Sequence, residues 1–239
     1  MKKLPFIFVI GTMACMIALM AGCTSGEQNH GAYTPNSPQT EQPEPTSPTL
    51  PQTTVEEESQ SSESSLDDII IQAADIESVK FDMIVTSPGS PSMTTKIWLK
   101  GQNMRSETES EGQTVINIIN HATSTMYMYI PEQNMAFKVT YDPSQTSPLN
   151  DVQSIDQYNP TAIGTETIDG KLCTIVEYSV SGMSVKMWLW QEKGFPLKVI
   201  TNTSDGTTIV EYKNIEFIDI SDSQFEIPNG VQIMDMPSQ

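Results

Sequence analysis

The chain has 239 residues, with 30 acidic and 12 basic side chains and a formal net charge of −18. This length accommodates one medium domain and some additional segments. The strong negative charge excludes nucleic acid and anionic membrane surfaces as expected partners, because both carry charge of the same sign. The acidity is consistent with solubility close to a membrane.

Residues 1–22 are typical of a secretory signal peptide. Two lysines precede an apolar run over residues 4–20, and Ala-Gly stands directly before Cys23. This ending resembles the lipobox of bacterial-type lipoproteins, although Met20 stands where that motif usually has Leu. We therefore predict cleavage after residue 22 and lipid attachment at Cys23. An uncleaved transmembrane anchor is the alternative, since about 20 apolar residues can span a bilayer.

Residues 23–65 have the composition of a disordered tether. Pro, Ser, Thr and Glu recur, and residues 24–64 contain no Lys or Arg. Such a segment buries too little apolar surface to offset its chain entropy. We expect an extended linker that separates a folded domain, residues 66–239, from the membrane. The predicted location is extracytoplasmic and membrane-anchored, in the cell envelope or at the cell surface.

The domain is predicted to begin with a helix over residues 66–77 and to continue as strands. Ser64 or Ser65 can cap the helix, and isoleucines recur at helical spacing. From Val79 onward the apolar residues alternate with period two, and short turns join the runs, which indicates antiparallel strands. The predicted strands lie near 79–87, 93–100, 103–110, 113–120, 124–130, 134–140, 163–168, 171–181, 183–190, 196–203, 207–217 and 224–227.

The predicted fold class is therefore α+β, with one large antiparallel sheet. One octapeptide pattern occurs twice, as MTTKIWLK at 93–100 and MSVKMWLW at 183–190. Each copy has one apolar face and one face that carries Lys and Trp. Internal duplication and a strand pattern that arose twice both remain open.

The residues that usually carry catalysis are scarce. His30 falls in the tether and His121 in a predicted turn, so the sequence has too few histidines for a His-based triad or a His-rich metal site. Glutamates 107, 109 and 111 share one strand face, for which solvent exposure is a simpler interpretation than cation binding. Cys173 is alone in the predicted mature domain and suits a small core position. We predict that the protein is not an enzyme and has no cofactor or metal.

Methionine is abundant, with 14 residues, most of them in or beside predicted strands. Flexible, polarizable methionines suit surfaces that accommodate variable apolar shapes, although ordinary core filling is the alternative. A single helix is too small to cover the whole apolar strand face that the sequence predicts. Either the polar segment near 144–162 or an apolar ligand is expected to cover the rest. The predicted ligand-facing residues are Met83, Val85, Ile97, Leu99, Met126, Met128, Met187 and Leu189.

Several segments, taken in order, resemble the LolA-like group of outer-membrane lipoprotein-sorting proteins and their extracytoplasmic relatives. They are KIWLKGQNMRSE, MYMYIPEQNMAFKV, VKMWLWQEKGFPLKV, YKNIEF and SQFEIPNGVQI. The resemblance spans residues 66–235 and is closer to the uncharacterised lipid-anchored lipoproteins of this superfamily than to the soluble carrier. It implies an incomplete β-barrel, a strongly curved sheet whose concave apolar side is covered by helices and can hold acyl chains.

The leading hypothesis is a membrane-anchored lipoprotein that binds a lipid or a lipoprotein acyl chain without catalysis. The alternative is an envelope or surface protein-interaction module with no ligand cavity, whose outer strand face presents Trp98, Trp188 and Trp190 to an envelope protein or polymer. Asn202 begins an Asn-Thr-Ser sequon and is a predicted glycosylation acceptor in a host that glycosylates surface proteins.

Overall fold

The computed structural model describes residues 65–110, 112–140 and 147–235. The predicted signal peptide, the predicted lipid-attachment residue Cys23 and residues 24–64 of the predicted tether lie outside these ranges. Glu111, the third of the clustered glutamates, also lies outside them.

Helix α1 spans Leu66–Ala74, and its first turn is held by a capping box. The Ser65 hydroxyl accepts a hydrogen bond from the Asp68 backbone N–H at 3.2 Å, and the Asp68 carboxylate accepts one from the Ser65 N–H at 3.2 Å. The predicted cap at Ser65 is therefore confirmed. The helix ends at Ala74, three residues before the predicted bound, where the N–H of the C-cap residue Asp75 donates to the Gln72 carbonyl at 3.3 Å.

A second helix lies in the polar segment that follows the first six strands. Helix α2 spans Pro148–Gln153, and a 3-10 turn over Ile155–Tyr158 follows it. The Ser147 hydroxyl caps α2 by accepting from the Asn150 N–H at 3.3 Å. Because Leu149, Val152 and Ile155 are buried in the core, this part of the predicted polar segment does cover the sheet.

The described residues form twelve strands in a single sheet. The strands are β1 Ser78–Thr86, β2 Met93–Lys100, β3 Asn103–Ser110, β4 Gln113–Asn120, β5 Thr125–Ile130, β6 Met135–Thr140, β7 Thr161–Ile168, β8 Lys171–Val180, β9 Met183–Trp190, β10 Pro196–Thr203, β11 Gly206–Glu216 and β12 Gln232–Asp235. Their order is β12-β6-β5-β4-β3-β2-β1-β11-β10-β9-β8-β7. The sheet is open, with β12 and β7 at its edges, so the predicted incomplete barrel with helices is confirmed.

Two details differ from the predicted strands. The run near 224–227 is not a strand, because a 3-10 turn over Asp222–Phe225 places Phe225 against the sheet instead. Strand β12 was not predicted, and it pairs in parallel with β6, so the sheet is mixed rather than purely antiparallel. The other strands begin and end within two residues of their predicted bounds.

One face of the sheet, here called the inner face, carries Val79, Phe81 and Met83 of β1 and the side chains paired with them. The helices pack on this face over β1, β2 and β8–β11, where α1 contributes Ile69 and Ala73. The Phe81 and Phe195 rings meet edge to face with centroids 5.1 Å apart. This packed layer is the hydrophobic core.

The opposite, outer face of β3–β5 is contacted by the C-terminal strap, residues 217–231. Ile220 and Phe225 of the strap pack on Ile116 and Ile118 of β4. Lys100 donates a hydrogen bond to the Ile220 carbonyl at 2.7 Å, so the strap is also tied to the sheet by polar contacts. The C-terminal strap therefore lies on the outer side of the sheet only, and the inner face is on the opposite side from it.

Candidate binding surface on the inner face

The register of the sheet extends the inner face beyond the helices. Across the sheet, Leu99 of β2 pairs with Met104, Met104 with Ile119, and Ile119 with Met126. Among the described residues, the core that contains α1 and α2 includes no side chain from β4, β5 or β6. The inner face of β4–β6 therefore continues the core surface beyond the two helices, and Met104 of β3 packs at the border of the core.

Methionines dominate this part of the inner face. The register places five half-buried methionines on the inner side of β2–β6, namely Met93, Met104, Met126, Met128 and Met135. By contrast, Met83 and Met187 are 2% and 1% exposed and lie in the core. Half-buried thioether side chains can change rotamer at low cost, so this surface can adapt to an apolar partner.

Four buried polar side chains interrupt the apolar surface. Thr95, Ser106, Thr108 and Asn117 are each at most 9% exposed, and here they are called the polar patch. The Thr95 and Thr108 hydroxyl oxygens are 2.9 Å apart and share a hydrogen bond, while the Asn117 Nδ2 donates to the Ser106 hydroxyl at a long 3.5 Å. Asn117 Oδ1 accepts no hydrogen bond from any group that the structure describes.

Charged side chains are segregated to the other face. In β2–β6 the register places every described charged residue on the outer side. These residues are Lys96, Lys100, Arg105, Glu107, Glu109 and Lys138. The inner face of β2–β6 thus combines apolar side chains with uncharged hydrogen-bonding groups, which favours an uncharged or apolar partner over an ionised one.

The predicted ligand-facing residues fall into two groups. Met83, Ile97, Leu99, Met187 and Leu189 are each at most 2% exposed and belong to the core under the helices. Val85, Met126 and Met128 are half-buried. The role of all eight in ligand binding remains a prediction. Met126 and Met128 are the two that a ligand could contact without displacing a helix, because Val85 packs against the core.

The tryptophans of the repeated octapeptides are less available to a partner than the sequence suggested. Trp188 is only 6% exposed, because its Nε1 donates to the Glu166 carboxylate of β7 at 2.6 Å and Lys198 lies over its ring at 5.1 Å. Trp98 packs beside the cluster formed with the C-terminal strap, and Trp190 is half-buried. The expectation that these three rings form an exposed outer face is therefore wrong for Trp188.

The cysteine and the glutamates that were candidates for catalysis or cation binding lie in structural surroundings. Cys173 is fully buried, and burial raises the pKa of its thiol to about 11, so the nucleophilic thiolate is disfavoured at neutral pH. Glu107 pairs with Arg105 at 2.5 Å. Among the described residues there is no group of three or more His, Cys, Asp or Glu side chains arranged to hold a metal ion.

The structure also bears on the predicted glycosylation site and on membrane-spanning helices. Asn202 is exposed at the end of β10, and its Oδ1 accepts a hydrogen bond from the Thr207 hydroxyl at 2.7 Å. Its glycosylation remains a prediction. Neither helix in the described part of the chain is long and apolar enough to cross a bilayer.

Comparison with known proteins supports the fold. A family model described as "Domain of unknown function (DUF4412)" matches residues 80–192. Comparison with curated proteins found no match. An uncharacterized conserved protein from Thermus thermophilus is similar in structure, with a TM-score of 0.53, 9% identity, and coverage of 72% of this chain and 96% of that chain.

Two further solved structures have lower scores. LprF from Mycobacterium bovis aligns with a TM-score of 0.46 and 14% identity over 70% of this chain and 95% of its own. The Mycobacterium tuberculosis lipoprotein LppX aligns with a TM-score of 0.44 and 10% identity over 65% of this chain and 94% of its own. At these identities the likenesses concern the fold alone, and the support for the predicted fold comes from the Thermus thermophilus structure.

Proposed function

We propose that the protein is a membrane-anchored, extracytoplasmic lipoprotein whose LolA-like domain binds a lipid or a lipoprotein acyl chain without catalysis. The observation that supports ligand binding is the inner face of β3–β6, where half-buried methionines lie beside the buried polar patch. A ligand chain laid on this face would remove both its own methylene groups and the methionine side chains from water. Each methylene that becomes buried contributes about 0.8 kcal/mol before the costs of association.

The geometry favours the inner face over the outer face as the binding surface. On β4 and β5 the outer face already packs against Ile220 and Phe225 of the C-terminal strap. On β9 the outer face is occupied by the Trp188 contacts with Glu166 and Lys198. The protein-interaction alternative would need these contacts to open, whereas a ligand on the inner face of β3–β6 would leave both the strap and the helices in place.

The anchor is supported by the sequence alone. The Ala-Gly-Cys ending of the predicted signal peptide and the tether that follows are the features that support lipidation at Cys23. A diacylglyceryl thioether would hold the protein at a membrane, because two acyl chains give stable anchoring where one does not. Membrane fractionation of the full chain and of a Cys23→Ser variant tests this part. We expect the variant to leave the membrane fraction, and equal membrane retention of the two would contradict the anchor.

Native mass spectrometry of the full chain tests the ligand. The chain is incubated with a membrane lipid extract, repurified and sprayed from a volatile buffer. We expect adducts with lipid masses on the wild type and their loss in Met128→Lys, which places a charge on the inner face. Ile163→Lys is the matched control, because Ile163 is 46% exposed on edge strand β7, away from this face. Adducts that survive in Met128→Lys but not in Ile163→Lys would contradict the proposed surface.

A further inference from the structure

The polar patch is unusual in its placement, because it lies within an otherwise apolar surface. On the inner face, Asn117 is flanked along β4 by Val115 and Ile119 and across the strands by Met128 and Ser106. It is 5% exposed, and its Oδ1 accepts no hydrogen bond among the described groups. A buried acceptor without a donor destabilises the fold, so its presence calls for a partner that supplies one.

The Ser106 hydroxyl beside Asn117 limits which chemical groups the partner can present at this position. Ser106 approaches Asn117 only through the long 3.5 Å contact, so its hydroxyl proton is free to seek an acceptor. A ligand group that both donates and accepts would satisfy Asn117 Oδ1 and the Ser106 hydroxyl together. A ligand hydroxyl has both capacities, whereas an ester or a hydrocarbon lacks the donor.

The positions of the charged side chains further limit which ligand can bind at the polar patch. All described charged side chains of β2–β6 lie on the outer face, so none of these strands turns a cation toward the polar patch to neutralise an ionised carboxylate or phosphate. Removing an unpaired ionised group from water is far more costly than removing a hydroxyl. The geometry points to an uncharged acyl lipid with a free hydroxyl group, of the monoacylglycerol class, bound with its hydroxyl on Asn117 and its chain along Met104, Met126 and Met128. This inference rests on the proposed lipid-binding function and specifies its ligand.

Three lipids with the same chain separate the possibilities: monolauroylglycerol, methyl laurate and laurate, each titrated into the full chain and followed by calorimetry. We expect monolauroylglycerol to bind about tenfold more tightly than methyl laurate, since one buried hydrogen bond contributes a ratio of this order. Ionised laurate at pH 8 is expected to bind more weakly than monolauroylglycerol. If none of the three lipids binds, the proposed function itself fails.

Substitution of Asn117 tests the hydroxyl contact directly. In Asn117→Leu we expect the preference for monolauroylglycerol over methyl laurate to disappear while methyl laurate binding is retained. Asn120→Leu is the matched control, because Asn120 lies on the same strand with its side chain on the outer face. This control is expected to keep the tenfold preference.

The variant is expected to fold, because it replaces an unsatisfied buried acceptor with an apolar side chain of similar size. Its thermal midpoint should equal or exceed that of the wild type. Should Asn117→Leu fail to fold, Asn117→Ala gives the same comparison with a smaller side chain. A preference that persists without the Asn117 amide, or a wild type that binds monolauroylglycerol and methyl laurate equally, would overturn the inference and leave the proposed function intact.

Discussion

Helix α1 rests directly on Gly194, and the substitution Gly194→Ala should separate it from the sheet. Gly194 has φ of +66°, a conformation that side chains disfavour. A methyl group built on it would overlap the Ile69 carbonyl oxygen and the Ala73 backbone nitrogen and would lie 2.9 Å from the Ala73 Cα. These are backbone atoms of α1, which cannot rotate away as the end of a side chain can.

The expected cost has two parts. The left-handed conformation costs an alanine about 1 kcal/mol relative to glycine. The overlap forces α1 outward and loosens Ile69 and Ala73, both 0% exposed, and overpacking of this kind costs about 1–3 kcal/mol. We therefore expect Gly194→Ala to lower the free energy of unfolding by about 2–4 kcal/mol.

Equilibrium denaturation in urea measures this change, with Gly170→Ala as the matched control. Gly170 has φ of +75°, yet a methyl group there would meet nothing within 4 Å. The control should therefore show the conformational cost alone, about 1 kcal/mol. Equal losses for the two variants would refute the close approach of α1 to Gly194.

Two further predictions concern the core and its titrating groups. Met187→Ala should lower the free energy of unfolding by about 2–5 kcal/mol, because Met187 lies in the packed core, whereas half-buried Met128→Ala should lower it by less than half as much. Urea denaturation of both variants measures the difference. Equal losses would contradict the division of the inner face into a packed core and a half-buried part. Alkaline pH should destabilise the fold: burial raises the pKa of the Cys173 thiol to about 11, and burial together with the Asp151 carboxylate raises the pKa of Tyr212. Because the unfolded chain loses these protons first, from pH about 9 upward, the free energy of unfolding should fall between pH 9 and 11, and Cys173→Ala should reduce that fall. Urea denaturation between pH 8 and 11 tests this, and a flat profile would contradict it.

The sequence predicted most of the fold because its signals are local. Alternating side chains and turn residues define the first eleven strands, and the Ser65 cap with Asp68 defines the start of α1. Strand β12 could not be predicted in this way, since its four residues pair with Met135–Lys138, about a hundred residues earlier in the chain. The turn that carries Phe225 is likewise determined by its packing on β4.

The site was harder to predict than the fold. Met187 and Met128 have the same alternating pattern, but only Met187 lies under the helices, and the extent of that cover is decided by the order of the strands in the sheet. The burial of Trp188 depends on Glu166 from a neighbouring part of the sheet. Asn117 carried no signal in the sequence, because an asparagine in a strand is ordinarily expected to face solvent.

The proposed function requires that the inner face of β3–β6 holds an acyl chain. Titration of the full chain with a fluorescent fatty acyl probe tests it most directly, followed by displacement with unlabelled lipid. We predict saturable binding at one site per chain, lost in Met128→Lys and kept in Ile163→Lys, with the thermal midpoints of both variants close to that of the wild type. A folded Met128→Lys protein that binds the probe as tightly as the wild type would contradict the account, as would a wild type that shows no saturable binding.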